Sequence, residues 1–300
     1  MPEPRVETQR ASDGYPIHVT VWPAATEPRG RVVILHGVQS HAGWYHGLGR
    51  TLADAGYEVH FPDRRGSGSN RDDRGHTPSY RRLIDDIAER LRALRESRPA
   101  VPVTLAGISW GGKTAVVTAA DHPELVDRLA LICPGLQPRV GVSLGERLAI
   151  AFAFFTNRRK TFAIPLSDPA LFTANPEGQR FIANDPLSLR AGTAGLLAAS
   201  TFLDRRVRKV PPRISQPALL MLAGHDRIVD NPKTLAYFER LASPDKRVIE
   251  YPDAHHTLEF EPDPTQYARD LIAWLDGANA NGPAGVIPRT EADTNQAARH

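Results

Sequence analysis

The stretch VTLAGISWGGKTAV, residues 103–116, decides the fold. Extended back to Val101, its first half is an apolar, β-branched run of strand length. Its second half, continued as GGKTAVVTAADHP, reads as a helix that stops at Pro123. Between them Gly107-Ile108-Ser109-Trp110-Gly111 matches G-x-S-x-G. A serine at the tip of so sharp a turn takes a strained backbone conformation. Glycines two before and two after it let strand and helix approach without a Cβ clash. The start of the helix leaves unpaired N–H groups near the serine oxygen. The bare pentapeptide is a weak signal, because glycine-rich turns are common. Its place between strand and helix makes Ser109 the candidate nucleophile.

Working outward, RVVILHG (31–37) is a short apolar strand of the kind buried on both faces. A helical stretch (44–55), strand YEVHF (57–61) and loop PDRRGSGSN (62–70) follow. In residues 80–95, Leu83, Ile84, Ile87, Leu91 and Leu94 recur on one helical face. RLALICPG (128–135), PALLMLAG (217–224) and KRVIEYP (246–252) read as further strands, and 232–241 and 265–275 as helices. Upstream, residues 5–10 and 17–22 flank an Asp13-Gly14 turn and form a hairpin.

Strand and helix alternate, which predicts an α/β fold with a mostly parallel central sheet and helices on both faces. The alternation breaks between Gly141 and Arg213, where an apolar stretch (144–155) is followed by short Pro-, Asn- and Gly-punctuated segments. Both flanks keep one rhythm, so this segment is an insertion into one sheet. The expected organisation is a core of residues 1–140 and 214–276, a helical lid of 141–213, and a flexible polar tail of 277–300.

The chain has 300 residues, 41% of them hydrophobic and 24% charged, enough for a large core and incompatible with wholesale disorder. The net charge of +3 carries no nucleic-acid footprint. It is unevenly spread. The insertion holds eleven Lys/Arg against five acids, a net +6, while the rest sums to −3. One cysteine, Cys133, excludes a disulfide scaffold. The eleven histidines show no HExxH or clustered spacing, which disfavours a metal, and no G-x-G-x-x-G opens a helix, so no dinucleotide cofactor is expected. No apolar run approaches a membrane span and the N-terminus has no apolar signal core, so a cytoplasmic location is expected.

The motifs HGVQSHAGWY (36–45), PDRRGSGSN (62–70) and GISWGG (107–112) resemble those of the α/β-hydrolases, and within them the monoacylglycerol lipase and lysophospholipase group. The resemblance covers residues 31–275, the insertion matching in position alone. It implies one oxyanion donor in the backbone N–H after the HG pair, at Val38, and a second after the nucleophile, at Trp110. It implies that Arg64, Arg65, Gly66 and Gly68 form a turn that braces the site. His36 reads as a structural histidine, His41 and Tyr45 as residues ordering the oxyanion loop, and Lys113 as a solvated lysine.

A serine hydroxyl needs an imidazole to take its proton and a carboxylate to hold that imidazole. In an α/β-hydrolase these follow in the order Ser, acid, His. LLMLAGHDRIVD (219–230) puts Asp226 just past a strand, with Asp230 as a rival; the resemblance points to Asp226. VIEYPDAHHTLEFEPD (248–263) offers His255 and His256, and the family pattern maps onto His256.

These readings together predict a serine carboxylic-ester hydrolase acting on monoacyl esters through an acyl-enzyme. It needs no cofactor or metal and has no nucleic-acid partner. Trp44, Leu148, Phe152 and Phe155 are expected to contact substrate, with Ile150 and Phe154 beside them in an apolar acyl site. The basic insertion is expected to steer a transient contact with anionic lipid surfaces. A proline-iminopeptidase-like aminopeptidase and an inactive binding protein on the same fold are the alternatives. The oligomeric state is not legible in the sequence.

Overall fold

A computed structural model describes residues 3–277. Beyond Gly277, the expected polar tail lies outside the described residues. The hairpin forms as read, Arg5–Arg10 (β1) antiparallel to Pro16–Trp22 (β2), with Gly14 at φ +83° in the turn. Next come Gly30–Leu35 (β3), His46–Asp54 (α1), Tyr57–Pro62 (β4), Tyr80–Ser97 (α2), Val103–Ile108 (β5), Gly111–Asp121 (α3) and Arg128–Ile132 (β6). After the insertion come Ala218–Ala223 (β9), Asn231–Glu239 (α7), Lys246–Tyr251 (β10) and Gln266–Leu275 (α8).

These strands build one eight-stranded sheet in the order β1-β2-β4-β3-β5-β6-β9-β10. From β4 to β10 every neighbouring pair is parallel, and only β2 runs against the other strands. All six positions of β3, β5 and β9 are buried. Side chains alternate across a strand, so each of these strands feeds two cores. Val32 and Ile34 pack with Leu48 and Leu52 of α1 and Leu271 and Trp274 of α8 on one face. Val33 and Leu35 pack with Leu83, Ile87 and Leu91 of α2, Val116 of α3 and Phe238 of α7 on the other. The molecule has the mostly parallel α/β sheet that the alternation predicts, in the α/β-hydrolase architecture that the resemblance implies.

Between β6 and β9 the chain leaves the sheet and forms Leu144–Thr156 (α4), Thr161–Ala163 (β7), Pro176–Asn184 (α5), Ala191–Thr193 (β8) and Ala194–Val207 (α6), with β7 and β8 paired antiparallel. Helix α4 begins at a capping box between Ser143 and Glu146. Helix α6 was not read from the sequence. Its buried Leu196, Ala199, Leu203 and Val207 repeat at helical spacing, and the Thr193 hydroxyl caps its start by accepting the Leu196 N–H.

The contact between α6 and α3 also corrects the expectation for Lys113. That lysine is buried and pairs with Asp204 of α6 at 2.6 Å. Losing hydration is tolerable for the ammonium because the carboxylate replaces the water.

Candidate active site

Ser109 stands between β5 and α3 with φ +51°, in the left-handed region that a side chain disfavours. Backbone bonds hold it there. Its N–H donates to the Ile132 carbonyl (3.0 Å), and its own carbonyl accepts from Gly112 (2.9 Å) and Gly135 (2.7 Å). A Cβ on Gly107 would lie 2.7 Å from the Gly112 Cα, and one on Gly111 only 2.1 Å from the Leu35 oxygen. The turn can close this tightly because both positions lack a side chain.

His256 follows β10, and Asp226 lies just past β9 on the same edge of the sheet. The His256 Nε2 is 2.8 Å from the Ser109 Oγ, and its Nδ1 is 2.7 Å from Asp226 Oδ2. A carboxylate only accepts, so Nδ1 carries the ring proton and Nε2 of the neutral ring faces the hydroxyl as acceptor. The other Asp226 oxygen accepts the N–H groups of Ile228 and Val229, both at 2.8 Å, which fixes the carboxylate plane. Asp226 and His256 are 4% and 3% exposed. The two rivals are engaged elsewhere. His255 donates its backbone N–H to Glu261 and lies beside His225, and Asp230 caps α7 by accepting the Lys233 N–H.

The HG segment forms the opposite wall. Among the described residues, neither the Val38 nor the Trp110 N–H donates to another backbone group. His36 donates Nδ1–H to the Gly37 carbonyl (2.7 Å) and accepts the Arg64 N–H at Nε2 (2.8 Å). Burial and then the nearby Arg64 charge push its pKa well below the ordinary histidine value, so it is a neutral structural bridge, as read.

One anchor of this wall was missed. Asp185, at the end of α5, accepts from Trp44 Nε1 (2.7 Å), Ser188 Oγ (2.7 Å), the Leu187 N–H (3.0 Å) and His41 Nε2 (3.1 Å). Burial raises its pKa, but the hydrogen bonds from Trp44 and Ser188 outweigh that and leave the carboxyl below its ordinary value. The Leu189 N–H also donates to the Gln39 carbonyl (2.9 Å). The insertion is thereby tied to the HG segment. Nothing local to Asp185 marks this tie in the sequence, since His41 and Trp44 lie 144 and 141 residues earlier.

A narrow cavity of about 10 Å³, room for roughly one water, opens at Ser109. Val38, Gln39, Trp44, His256, Leu166 and Phe172 are among its lining residues. The Trp44 ring is set edge-on to Phe172 at 5.8 Å. Gln39 is 2% exposed, yet neither its Nε2 nor its Oε1 meets a partner among the described residues.

Leu148, Phe152 and Phe155 do not line this cavity, nor do Ile150 and Phe154. Leu148, Phe152 and Phe155 are 65%, 71% and 84% exposed. Helix α4 packs on α6 and buries Ile150 and Ala153, which turns these three side chains outward. The apolar wall comes instead from Leu166 and Phe172, in loops of the insertion that carry no periodic signal. Among the described residues, no group of His, Cys, Asp and Glu has a metal-site arrangement.

Fold and site geometry together define an α/β-hydrolase. The sequence pattern of the serine aminopeptidase S33 family matches residues 26–263, and the chain belongs to that family. It is similar to the monoglyceride lipase of Homo sapiens, with 26% identity over 92% of each chain. It is also similar to the monoacylglycerol lipase of Mycolicibacterium smegmatis, with 26% identity over 87% of this chain and 93% of that one. The crystal structure of the Paleococcus ferrophilus monoacylglycerol lipase superposes with a TM-score of 0.78 at 25% identity, covering 87% of this chain and 98% of the other.

Proposed function

We propose that the protein is a serine hydrolase of carboxylic esters, acting on uncharged monoacyl esters through an acyl-enzyme. The observation that carries this reading is the hydrogen-bonded series Asp226–His256–Ser109 at a narrow cavity. Ser109 Oγ attacks the ester carbon as His256 Nε2 takes its proton, while Asp226 holds the imidazolium. The Val38 and Trp110 N–H groups receive the oxyanion. The alcohol leaves with the proton from His256, and water then cleaves the acyl-enzyme by the same steps in reverse roles. The monoacyl preference rests on likeness to the two lipases and on the apolar Leu166 and Phe172 beside Ser109. The unpartnered Gln39 amide offers a donor and an acceptor to hydroxyls of the alcohol part.

The family's aminopeptidase name raises the second reading. A cleaved aminoacyl substrate carries an ammonium group, which needs a carboxylate in the site. Among the described residues no Asp or Glu lines the cavity, which favours the ester.

In this reading residues 141–213 act as a lid over the core. A cavity of about 10 Å³ cannot hold an acyl chain, so Leu166 and Phe172 move aside when substrate enters. Leu144, Leu148, Phe152 and Phe155 form an exposed apolar stripe on α4 at spacings of three and four residues, near Arg147, Arg158 and Arg159. That combination suits a transient contact with an anionic lipid surface. No helix among the described residues is long and apolar enough to cross a membrane.

A serine-directed phosphonate probe, with kinetics on p-nitrophenyl esters and on prolyl and aminoacyl amides, tests the reading. Labelling of wild type and not of S109A, with esters cleaved faster than amides, is the expected result. Faster amide cleavage would move the protein to the peptidase reading.

A further inference from the structure

Arg64 and Arg65 are neighbours in one turn with opposite environments. Arg65 is saturated by carboxylates. Its Nε and Nη2 reach Asp86 at 2.9 and 2.8 Å, and it also pairs with Asp13 at 3.0 Å. Arg64 is partly buried and forms no ion pair among the described residues. Asp63, the adjacent carboxylate, is occupied by the Ala42 and Ser69 N–H groups, both at 2.8 Å. Burial lowers the Arg64 pKa to about 10, which leaves it charged at neutral pH.

The Arg64 guanidinium spends its hydrogen bonds on the HG segment. Nη1 donates to the Gly37 carbonyl (3.1 Å) and Nη2 to the Val38 carbonyl (2.9 Å). Its carbon lies 4.9 Å from the centre of the Trp110 ring. The Gly37 carbonyl belongs to the same planar peptide unit as the Val38 N–H, so fixing one end aims the other. A cation bound to that carbonyl also draws electron density along the amide and makes its N–H a stronger donor.

We infer that Arg64 is a positioning residue of the oxyanion hole, whose unpaired positive charge polarises the Gly37–Val38 peptide toward the reacting carbonyl oxygen. The inference rests on the proposed reaction at Ser109. A bracing turn requires only that the loop be held, which His36 already does through the same Gly37 carbonyl. It does not require a charge that faces two successive carbonyls and makes no ion pair at contact distance among the described residues. The effect belongs to the transition state, where the oxygen carries charge, so it acts on kcat and leaves KM nearly unchanged.

The test compares R64M and R64K with wild type, each checked by circular dichroism and thermal midpoint. The substrate is p-nitrophenyl butyrate and the inhibitor a trifluoromethyl ketone. Ser109 Oγ adds to the ketone carbon, the C=O π pair moves to oxygen, and the hydroxyl proton passes to His256. The hemiketal oxygen thus occupies the oxyanion position. In R64M, kcat should fall about tenfold to thirtyfold, less than the hundred- to thousandfold of losing an oxyanion donor outright. Inhibitor affinity should fall in parallel, with KM within about twofold. R64K, which keeps a charge but has no fork, should recover part of both. Unchanged kcat in R64M overturns the inference, as does a kcat loss with unchanged inhibitor affinity. A folded R64K as impaired as R64M also overturns it, and this variant decides the matter if R64M does not fold. S109A keeps the two readings apart. If it retains turnover, the reaction at Ser109 fails; if it is inactive while R64M is normal, only the role of Arg64 fails.

Discussion

Ser109 and His256 are joined by one 2.8 Å hydrogen bond, and turnover should depend on both. S109A and H256A are expected to lose nearly all ester hydrolysis. H255A should keep most of it, because the His255 ring lies against His225 and Glu261. D226N should lower kcat by about 10³- to 10⁴-fold, since an amide facing Nδ1 favours the wrong imidazole tautomer. D230N should leave turnover nearly unchanged, because an asparagine oxygen still accepts the Lys233 N–H at the helix cap. Steady-state kinetics on the five folded variants check this, and equal losses in D226N and D230N would leave the acid unassigned. Glu259 behaves differently. It accepts the Gly47 and Leu48 N–H groups at the start of α1, yet burial pushes its carboxyl up to about 7. Between about pH 4.5 and 7 the unfolded chain releases this proton while the folded chain retains it. Stability therefore falls as pH rises through that window and levels off above it, by about 3 kcal/mol at most. E259Q keeps an acceptor and cannot titrate. Its thermal midpoint relative to wild type should rise from pH 5 to pH 8, and a constant difference would dismiss the effect.

At the scale of elements, α4 and α5 do different work from what apolarity alone suggests. The outward stripe on α4 predicts binding to phosphatidylglycerol vesicles in co-sedimentation, weakened by salt and weaker on phosphatidylcholine. The triple variant L148S/F152S/F155S should lose it. Each buried apolar side chain is worth about 1.5–3 kcal/mol, so three together exceed a hundredfold in partitioning. Equal pelleting of wild type and triple variant would exclude α4 as the contact. Helix α5 ends in Asp185, which holds His41 and Trp44 of the HG segment. D185A leaves several buried donors unpaired and should destabilise the protein by about 2–4 kcal/mol, measured by urea unfolding. A loss below about 0.5 kcal/mol, the range of neutral surface changes, would show that the tie is not structural.

For the molecule as a whole, the narrow cavity and its apolar wall set the expected specificity. From acetate upward, the specificity constant on p-nitrophenyl esters should rise by up to about fourfold per methylene until the opened site is filled. A steady fall beyond acetate would indicate a small-ester hydrolase. The rise should also depend on the insertion, because its Leu166 and Phe172 line the cavity.

What was legible in the sequence is what repeats or lies close along the chain. The alternating strands and helices showed because burial on two faces demands apolar runs, and the Ser109 turn because glycines are needed on both sides of it. Asp226 and His256 were narrowed to two residues each, since both loops leave strand ends on one sheet edge. Within each pair the resemblance points to Asp226 and His256, and the tertiary structure brings His256 to Ser109 and Asp226 to His256 while Asp230 caps α7. Helix α6 and the short strands β7 and β8 escaped notice among punctuating residues. Leu148, Phe152 and Phe155 were misplaced for a related reason. An apolar helix reports that it needs cover, and the packing partner alone decides which face receives it. The Asp185 anchor and the unpaired Arg64 arise from contacts across long stretches of chain. Those contacts exist only once the sheet has brought the insertion and the HG segment together.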